Sequence, residues 1–139
     1  MSLRKYKRIK YLGKGSYGAA ILVNLRANAE KKFVMKEIVI GHLSESEQAA
    51  AKKEADVLHK MQHSNITMYI ESFVESSKLY IVMEFADGGD LANAISNRKK
   101  QKRYWEEDEV MRILVQICLA LKHVHDQNIL HRDLKSQNI

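Results

Sequence analysis

The sequence predicts an α+β fold: a five-stranded antiparallel sheet carrying one long helix, followed by the first helices of a helical portion. Three observations support this. Residues 6–85 hold five short strand-like runs separated by glycine-rich or polar turns. A single stretch of helical spacing interrupts them between residues 44 and 61. From Leu91 onward the spacing is helical, until a polar loop closes the sequence.

Tyr6 to Leu12 reads as a strand, with Ile9 and Tyr11 alternating against lysines and an arginine. Gly13 to Gly18 is a glycine-rich turn, Ala19 to Leu25 a second strand, and residues 26–30 a polar turn. Lys32 to Ile40 is a third strand. Side chains alternate along it, so Val34, Lys36, Ile38 and Ile40 share one face and Lys36 is the one charge there. Ser44 with Glu47 forms a capping box that opens a helix. Ala50, Val57, Leu58 and Met61 recur at helical spacing, with Glu54 among them. An isolated buried charge is costly and a good partner offsets much of the cost, so Lys36 and Glu54 are expected to pair. Residues 67–74 and 78–85 read as two further strands joined by Glu75-Ser76-Ser77. Asp87-Gly88-Gly89-Asp90 breaks the chain and is the best candidate hinge, and residues 91–102 form a short amphipathic helix. The last helix is expected over Glu107 to Asp126, with Trp105 stapling its start against Val110 and Glu109 as the capping acid. Val110, Ile113, Leu114, Ile117, Leu121 and Val124 form its apolar stripe, and Val115, Leu119 and Ala120 widen it round most of the circumference. Such a helix is expected to be central in its domain, and since only one other helix here could cover it, these residues are expected to be the front part of a longer domain whose later helices would bury this surface.

At 139 residues, 45% hydrophobic and 29% charged, the composition is that of one globular domain or part of one. No apolar run approaches the ~20 residues that span a bilayer, so no membrane insertion is expected. The first residues lack the apolar stretch of a secretory signal, and a cytoplasmic location is the expectation. The single cysteine, Cys118, reads as a reduced core thiol. The net charge of +6 suits polyanions. The basic clusters at residues 4–10 and 98–103 nevertheless carry no nucleic-acid motif and read as a solvated strand and a solvated helix end, so no nucleic-acid partner is expected. His59 and His63 are four apart without a third metal ligand at suitable spacing, and read as surface. His123 and His125 suit the negative end of the last helix.

Two segments carry chemistry. Gly13-Lys14-Gly15-Ser16-Tyr17-Gly18 fits Gly-x-Gly-x-x-Gly. A dinucleotide-binding fold would need a helix at the third glycine, whereas a strand follows here. Strand-turn-strand suits a flap that brings backbone N–H groups to phosphates, with Lys36 beneath it. The second segment is His131-Arg132-Asp133-Leu134-Lys135-Ser136-Gln137-Asn138. Asp133 is the expected acceptor or orienter of a substrate hydroxyl, Lys135 neutralises charge on a transferring phosphoryl group, and Asn138 offers a carbonyl oxygen to magnesium. The spacing His-Arg-Asp-x-x-x-x-Asn is the catalytic-loop signature of protein kinases.

Together these residues resemble the eukaryotic protein kinase superfamily over residues 6–139, and within it the NIMA-related (NEK) serine/threonine kinases. The stretches that carry the likeness are Gly-Ser-Tyr-Gly at 15–18, His63-Ser64-Asn65-Ile66, Tyr80 to Phe85, Gly88-Gly89-Asp90-Leu91, Val115 to His125, and Lys135-Ser136-Gln137-Asn138. The resemblance implies an N-lobe over residues 6–86 and the start of a C-lobe over residues 87–139. It implies ATP and Mg2+ as cofactors, and proteins bearing Ser or Thr as substrates. It places Met83 beside the adenine pocket, Glu84 to Ala86 as the hinge that bonds adenine, and Leu12 and Ala20 over the base. Lys36 and Glu54 join Asp133 and Lys135 in the catalytic set. Leu58 and His131 fall in the hydrophobic column that aligns the active state. Arg132 implies regulation by activation-loop phosphorylation. Ala20 stands where valine is usual, and Ser64 where proline is usual. The Asp-Phe-Gly segment, activation loop and Ala-Pro-Glu of the family do not follow within these residues, so the expectation is a domain cut short in its catalytic loop and inactive as residues 1–139 alone. The other expectations weighed are a non-catalytic half-kinase that binds nucleotide or competes for partners, and a basic nucleic-acid-binding module. The resemblance also implies possible cytoskeletal, centrosomal or ciliary association.

Overall fold

Among the described residues, five strands and three helices follow the order the sequence predicts. The computed structural model describes residues 2–15 and 18–139, with the side chain of Glu54 outside that description. The strands are β1 (Tyr6–Gly15), β2 (Gly18–Leu25), β3 (Asn28–Val39), β4 (Tyr69–Glu75) and β5 (Lys78–Glu84). The helices are α1 (Glu45–Leu58), α2 (Leu91–Lys100) and α3 (Glu107–Asp126), with one-turn 3-10 helices at Leu3–Lys5 and Ser136–Asn138. The chain divides into two compact units, Met1–Gln62 with Thr67–Phe85, and His63–Ile66 with Ala86–Ile139.

In the first unit the strands form one antiparallel sheet in the order β1-β2-β3-β5-β4. Alternation along the strands fills both faces. Tyr6, Ile21, Val23, Met35, Phe73, Tyr80 and Val82 pack into one cluster. Ile40, Leu79 and Ile81 pack with Ala55 of α1 into another. Burying each large apolar side chain is worth about 1.5–3 kcal/mol, so these clusters dominate the unit's stability. The two edge strands are tied together by polar side chains. The Tyr6 hydroxyl donates to Glu71 on β4, Lys5 Nζ lies 3.2 Å from the same carboxylate, and Leu3 N–H donates to Glu75 Oε2 at 3.0 Å. Burial first, and then the Glu71 hydrogen bond and charge, push the Tyr6 hydroxyl well above the usual phenol range.

Two expectations change here. Gly13 to Gly15 and Gly18, expected in a turn, pair as strand, with Gly15 opposite Gly18. Glycine is a poor strand former, but pairing continues where both backbones stay in the ladder. On α1, Ala51 and Ala55 make the contact, with Leu43 just ahead of the helix, while Ala50 and Leu58 are exposed. The opposing face is already filled by Ile40, Leu79 and Ile81, so the small residues let the helix approach. The run Ala49-Ala50-Ala51 leaves the helix face undecided in sequence. The start of α1 is as expected: Ser44 Oγ accepts from Glu47 N–H, and Glu47 Oε2 accepts from Ser44 N–H at 2.8 Å. Ser44→Ala is expected to cost about 1 kcal/mol of unfolding free energy, read as a lower urea midpoint.

In the second unit, α2 begins at Asp90, whose carboxylate accepts from Asn93 N–H at 2.7 Å. Gly89 precedes it at φ +80, a conformation that suits glycine. α3 keeps its expected bounds, and the apolar surface expected to need later helices for cover is largely uncovered by the described residues. Only Val124 is buried, and Val110, Met111, Leu114, Val115 and Leu119 are about half exposed. Cys118 is exposed too, against the expectation of a core thiol. Trp105 and Val110 do lie together, lining an apolar hollow of about 250 Å³ with Leu91, Ile95, Ile113 and Ile117.

Arg98 lies 3.8 Å over the Trp105 ring and forks onto Glu109 at 2.5 and 2.6 Å. Glu109 also accepts from Glu106 N–H at 3.0 Å. The Arg98 hydrogen bond, followed by that backbone donor, holds the Glu109 carboxyl down at about 2. A depressed carboxylate stabilises the fold above the ordinary range near 4.5, and that contribution is lost as pH falls toward 2. Trp105 is the chain's one tryptophan. Glu109→Gln is therefore expected to change its fluorescence at neutral pH as acid changes the wild type, which a pH titration of emission checks.

Candidate active site

The C-terminal loop belongs to the second unit and starts where α3 stops. Asn128 at φ +58 and Ile129 N–H, bonded back to Val124 O, end the helix. Arg132 then takes φ +62, which is uncommon for a residue with a side chain and concentrates at functional loops. Beyond this bend Asp133 N–H donates to His131 Nδ1 at 3.3 Å. Three predicted residues converge. Lys135 Nζ is 2.9 Å from Asp133 Oδ1, and Asn138 Nδ2 donates to Asp133 O at 2.7 Å and to Oδ2 at 3.0 Å. The 3-10 turn at Ser136–Asn138 makes this possible by bonding Asn138 N–H to Lys135 O at 2.8 Å. Ile139 O accepts from Leu91 N–H at 2.9 Å, which fixes the loop to the start of α2.

The Lys135 hydrogen bond, then that of Asn138, holds the Asp133 carboxyl below the usual carboxylate range. Its side chain is 65% exposed. Asp133 is therefore an ionised, solvent-facing acceptor at neutral pH, available to a hydroxyl. Asn138 spends its NH2 group on Asp133, which reserves its carbonyl oxygen for a hard cation. Among the described residues there is no group of three or more His, Cys, Asp or Glu suited to a metal. The Asn138 carbonyl oxygen is a hard donor of the kind magnesium takes.

The other predicted residues lie in the first unit. Gly13, Ala20, Lys36 and Ile81 are successive register partners across β1, β2, β3 and β5, and Met83 stands opposite Val34 on the neighbouring row. Register partners share a face, so Ala20, Lys36 and Met83 lie on the side of the sheet that α1 covers. Lys36 keeps its place between Val34 and Ile38 but is exposed rather than buried. The reason is local: Ala20 beside it is too small to cover a lysine stem, so the ammonium reaches water. Its expected pairing with Glu54 lies outside the described residues, as do Ser16 and Tyr17.

Leu12 is 44% exposed and Lys14 is exposed. Glu84 N–H is committed to Met68 O at 2.8 Å. Ala86, exposed, opens the second unit. Leu58 and His131 are likewise exposed.

Residues 6–139 match the family model for the protein kinase domain. The chain belongs to the protein kinase family. It is similar to serine/threonine-protein kinase Nek1 of Mus musculus, 47% identical over 137 residues that cover 99% of this chain and 11% of that protein. It is 45% identical to serine/threonine-protein kinase Nek5 of Homo sapiens over 97% of this chain and 19% of that protein. It is 42% identical to serine/threonine-protein kinase Nek3 of Mus musculus over 96% of this chain and 25% of that protein. The chain thus spans a quarter or less of the length of these curated relatives.

Some groups that shape the kinase chain were not legible beforehand. Glu37 on β3 is 9% exposed and takes Arg8 at 2.5 Å and Lys78 at 2.8 Å. Burial pushes its carboxyl up, but the Lys78 hydrogen bond and the charges of Arg8 and Lys78 outweigh that, and the net shift is down. Glu37 stands opposite Ala19 on β2 and Tyr80 on β5. The alternation of β3 hints at its burial, because Glu37 falls on the face of Phe33 and Met35. In the same way Asn65 Nδ2 donates to Gln116 Oε1 at 2.9 Å, a contact across 51 residues.

Proposed function

We propose that the protein transfers the γ-phosphoryl group of ATP to serine and threonine hydroxyls of proteins. The observation that carries this is the convergence of Asp133, Lys135 and Asn138 in one exposed loop. Asp133 accepts the hydrogen of the incoming hydroxyl and aims its oxygen. Lys135 sits where its ammonium offsets charge on the group in transfer. Asn138 would hold magnesium through its carbonyl oxygen, and the ion would supply neutralisation of phosphate charge. In the first unit, Lys36 faces solvent on the row that includes Gly13 and Ala20, and its ammonium is available to phosphates. Ala20 and Met83 offer apolar surface to a purine on the same face. The Glu84–Ala86 segment offers backbone groups, though Glu84 N–H is taken by Met68.

The reading is tested with the protein expressed over its whole reading frame. It is incubated with γ-labelled ATP, Mg2+ and an acceptor protein containing Ser, Thr and Tyr. Hydrolysis of the labelled acceptor is expected to yield phosphoserine and phosphothreonine. Phosphotyrosine alone, or no ATP-dependent label, would refute the proposal.

A further inference from the structure

We infer, resting on the phosphoryl-transfer reading above, that Glu37 is a positioning residue for that reaction. It clamps the β1–β2 hairpin through Arg8 and so sets how the glycine motif sits over Lys36. Lys36 and Glu37 are consecutive on β3, so their side chains take opposite faces of the sheet. Lys36 lies on the row of Gly13 and Ala20, while Glu37 stands opposite Ala19, next to the motif's last glycine. The Glu37 carboxylate holds Arg8 of β1 at 2.5 Å and Lys78 of β5 at 2.8 Å. In the sheet order β2 lies between β1 and β3, so the Arg8 contact crosses a whole strand to join β1 directly to β3.

The hairpin needs such a tie. β1 pairs with β2 irregularly, with register shifts between Arg8 and Lys10 and between Tyr11 and Gly13. Irregular pairing of this kind bends a strand and disrupts the ladder locally. Backbone hydrogen bonds alone therefore leave the arm that carries Gly13 and Gly15 loosely placed. Arg8 is anchored immediately ahead of the first shift. The other arm is fixed at Gly18, which packs so close to the Glu37 carbonyl oxygen that an added Cβ would lie 1.9 Å from it. One residue thus reaches both arms, β1 by its side chain and β2 by its backbone. The carboxylate is buried, with little water to replace a lost cation, and so keeps both partners. Lys78 fixes it from the β5 side, which leaves Arg8 as the group that moves with the hairpin.

The test compares wild type with Glu37→Gln, Arg8→Gln, the double variant and Lys5→Gln, each in the protein expressed over its whole reading frame. Glu37→Gln and Arg8→Gln are each expected to raise the KM for ATP about tenfold, with kcat within about twofold and the KM for the acceptor protein unchanged, because a flap that binds phosphates alike before and during transfer affects KM alone. The double variant is expected to be no worse than Glu37→Gln, since both changes remove the same tie. Lys5→Gln removes an ion pair at the start of β1 while Tyr6 still holds Glu71, and is expected to leave the KM for ATP unchanged. Amide hydrogen exchange needs no turnover. It is expected to quicken in β1 and β2 of both site variants and to match wild type in β4. The Arg8 side chain is 44% exposed, so Arg8→Gln keeps the test decisive if Glu37→Gln fails to fold. Wild-type KM for ATP in the folded site variants, or a fall in kcat at unchanged KM, overturns the inference and leaves the function standing. No transfer by wild type refutes the function instead, and unchanged exchange in β1 and β2 then refutes the clamp by itself.

Discussion

Asp133→Asn is expected to lower phosphoryl transfer by about 10²–10⁴-fold while leaving the melting temperature nearly unchanged. The two halves of this expectation come from one geometry. The carboxylate is 65% exposed, so its removal empties no core and breaks only the surface contacts with Lys135 and Asn138. An amide of the same shape keeps an oxygen for one of those partners. It loses the negative charge that makes the group a strong acceptor for a hydroxyl hydrogen. The depressed carboxyl pKa refines the role. A carboxylate that is hard to protonate is a weak base, so its main work is to hold and aim the hydroxyl, with the proton leaving late in a loose transition state. The sign of the pH dependence follows. Because Lys135 and Asn138 lower the pKa, the ionised form persists below the ordinary carboxylate range, and activity is lost only as pH falls through that lowered value. Lys135→Ala removes the first of these supports and is expected to move the acid limb of the rate profile upward. Initial-rate measurements across pH on both variants check this. Wild-type transfer by Asp133→Asn would remove Asp133 from the mechanism.

Gly18→Ala is expected to destabilise the first unit by about 3 kcal/mol or more. Gly18 has φ +140, and a Cβ built there would lie 1.9 Å from the carbonyl oxygen of Glu37 and 2.9 Å from its carbonyl carbon. Both atoms are backbone of β3 and cannot swing aside as a side chain would. Glu37 is further held by Arg8 and Lys78. The strain must then be relieved by parting β2 from β3. Gly13, in the same motif, is the control. A Cβ there meets nothing within 4 Å, so Gly13→Ala is expected to leave stability unchanged or raise it by about 0.4–1 kcal/mol. If Gly13 matters, it matters through approach of phosphates to the backbone, and its variant weakens nucleotide binding without unfolding the protein. Urea unfolding of the two variants side by side separates these roles. Equal stability of Gly18→Ala and wild type would show that β2 and β3 do not pack as described.

Much of the active site was readable because its parts are local. Asp133, Lys135 and Asn138 fall within six residues, and one short polar loop is all that is needed to bring them together. The capping box at Ser44, the bounds of α3 and the succession of five strands along the chain were also readable, since alternation, helical spacing and caps act over a few residues. The face of α1 was not, because three consecutive alanines permit several rotations and only the bulk of Ile40, Leu79 and Ile81 selects one. The exposure of Lys36 was not, because pattern gives the face of a strand but not the size of the neighbour across it. The sequence by itself determined the family, the elements and the chemistry of the terminal loop, through short-range geometry. Tertiary structure alone decided that Glu37 binds two cations from β1 and β5, that Glu71 receives Tyr6 and Lys5 from the opposite edge, and that Asn65 bonds to Gln116. These pairings join residues tens of positions apart, and their distances follow from strand order and helix packing, which no local pattern encodes.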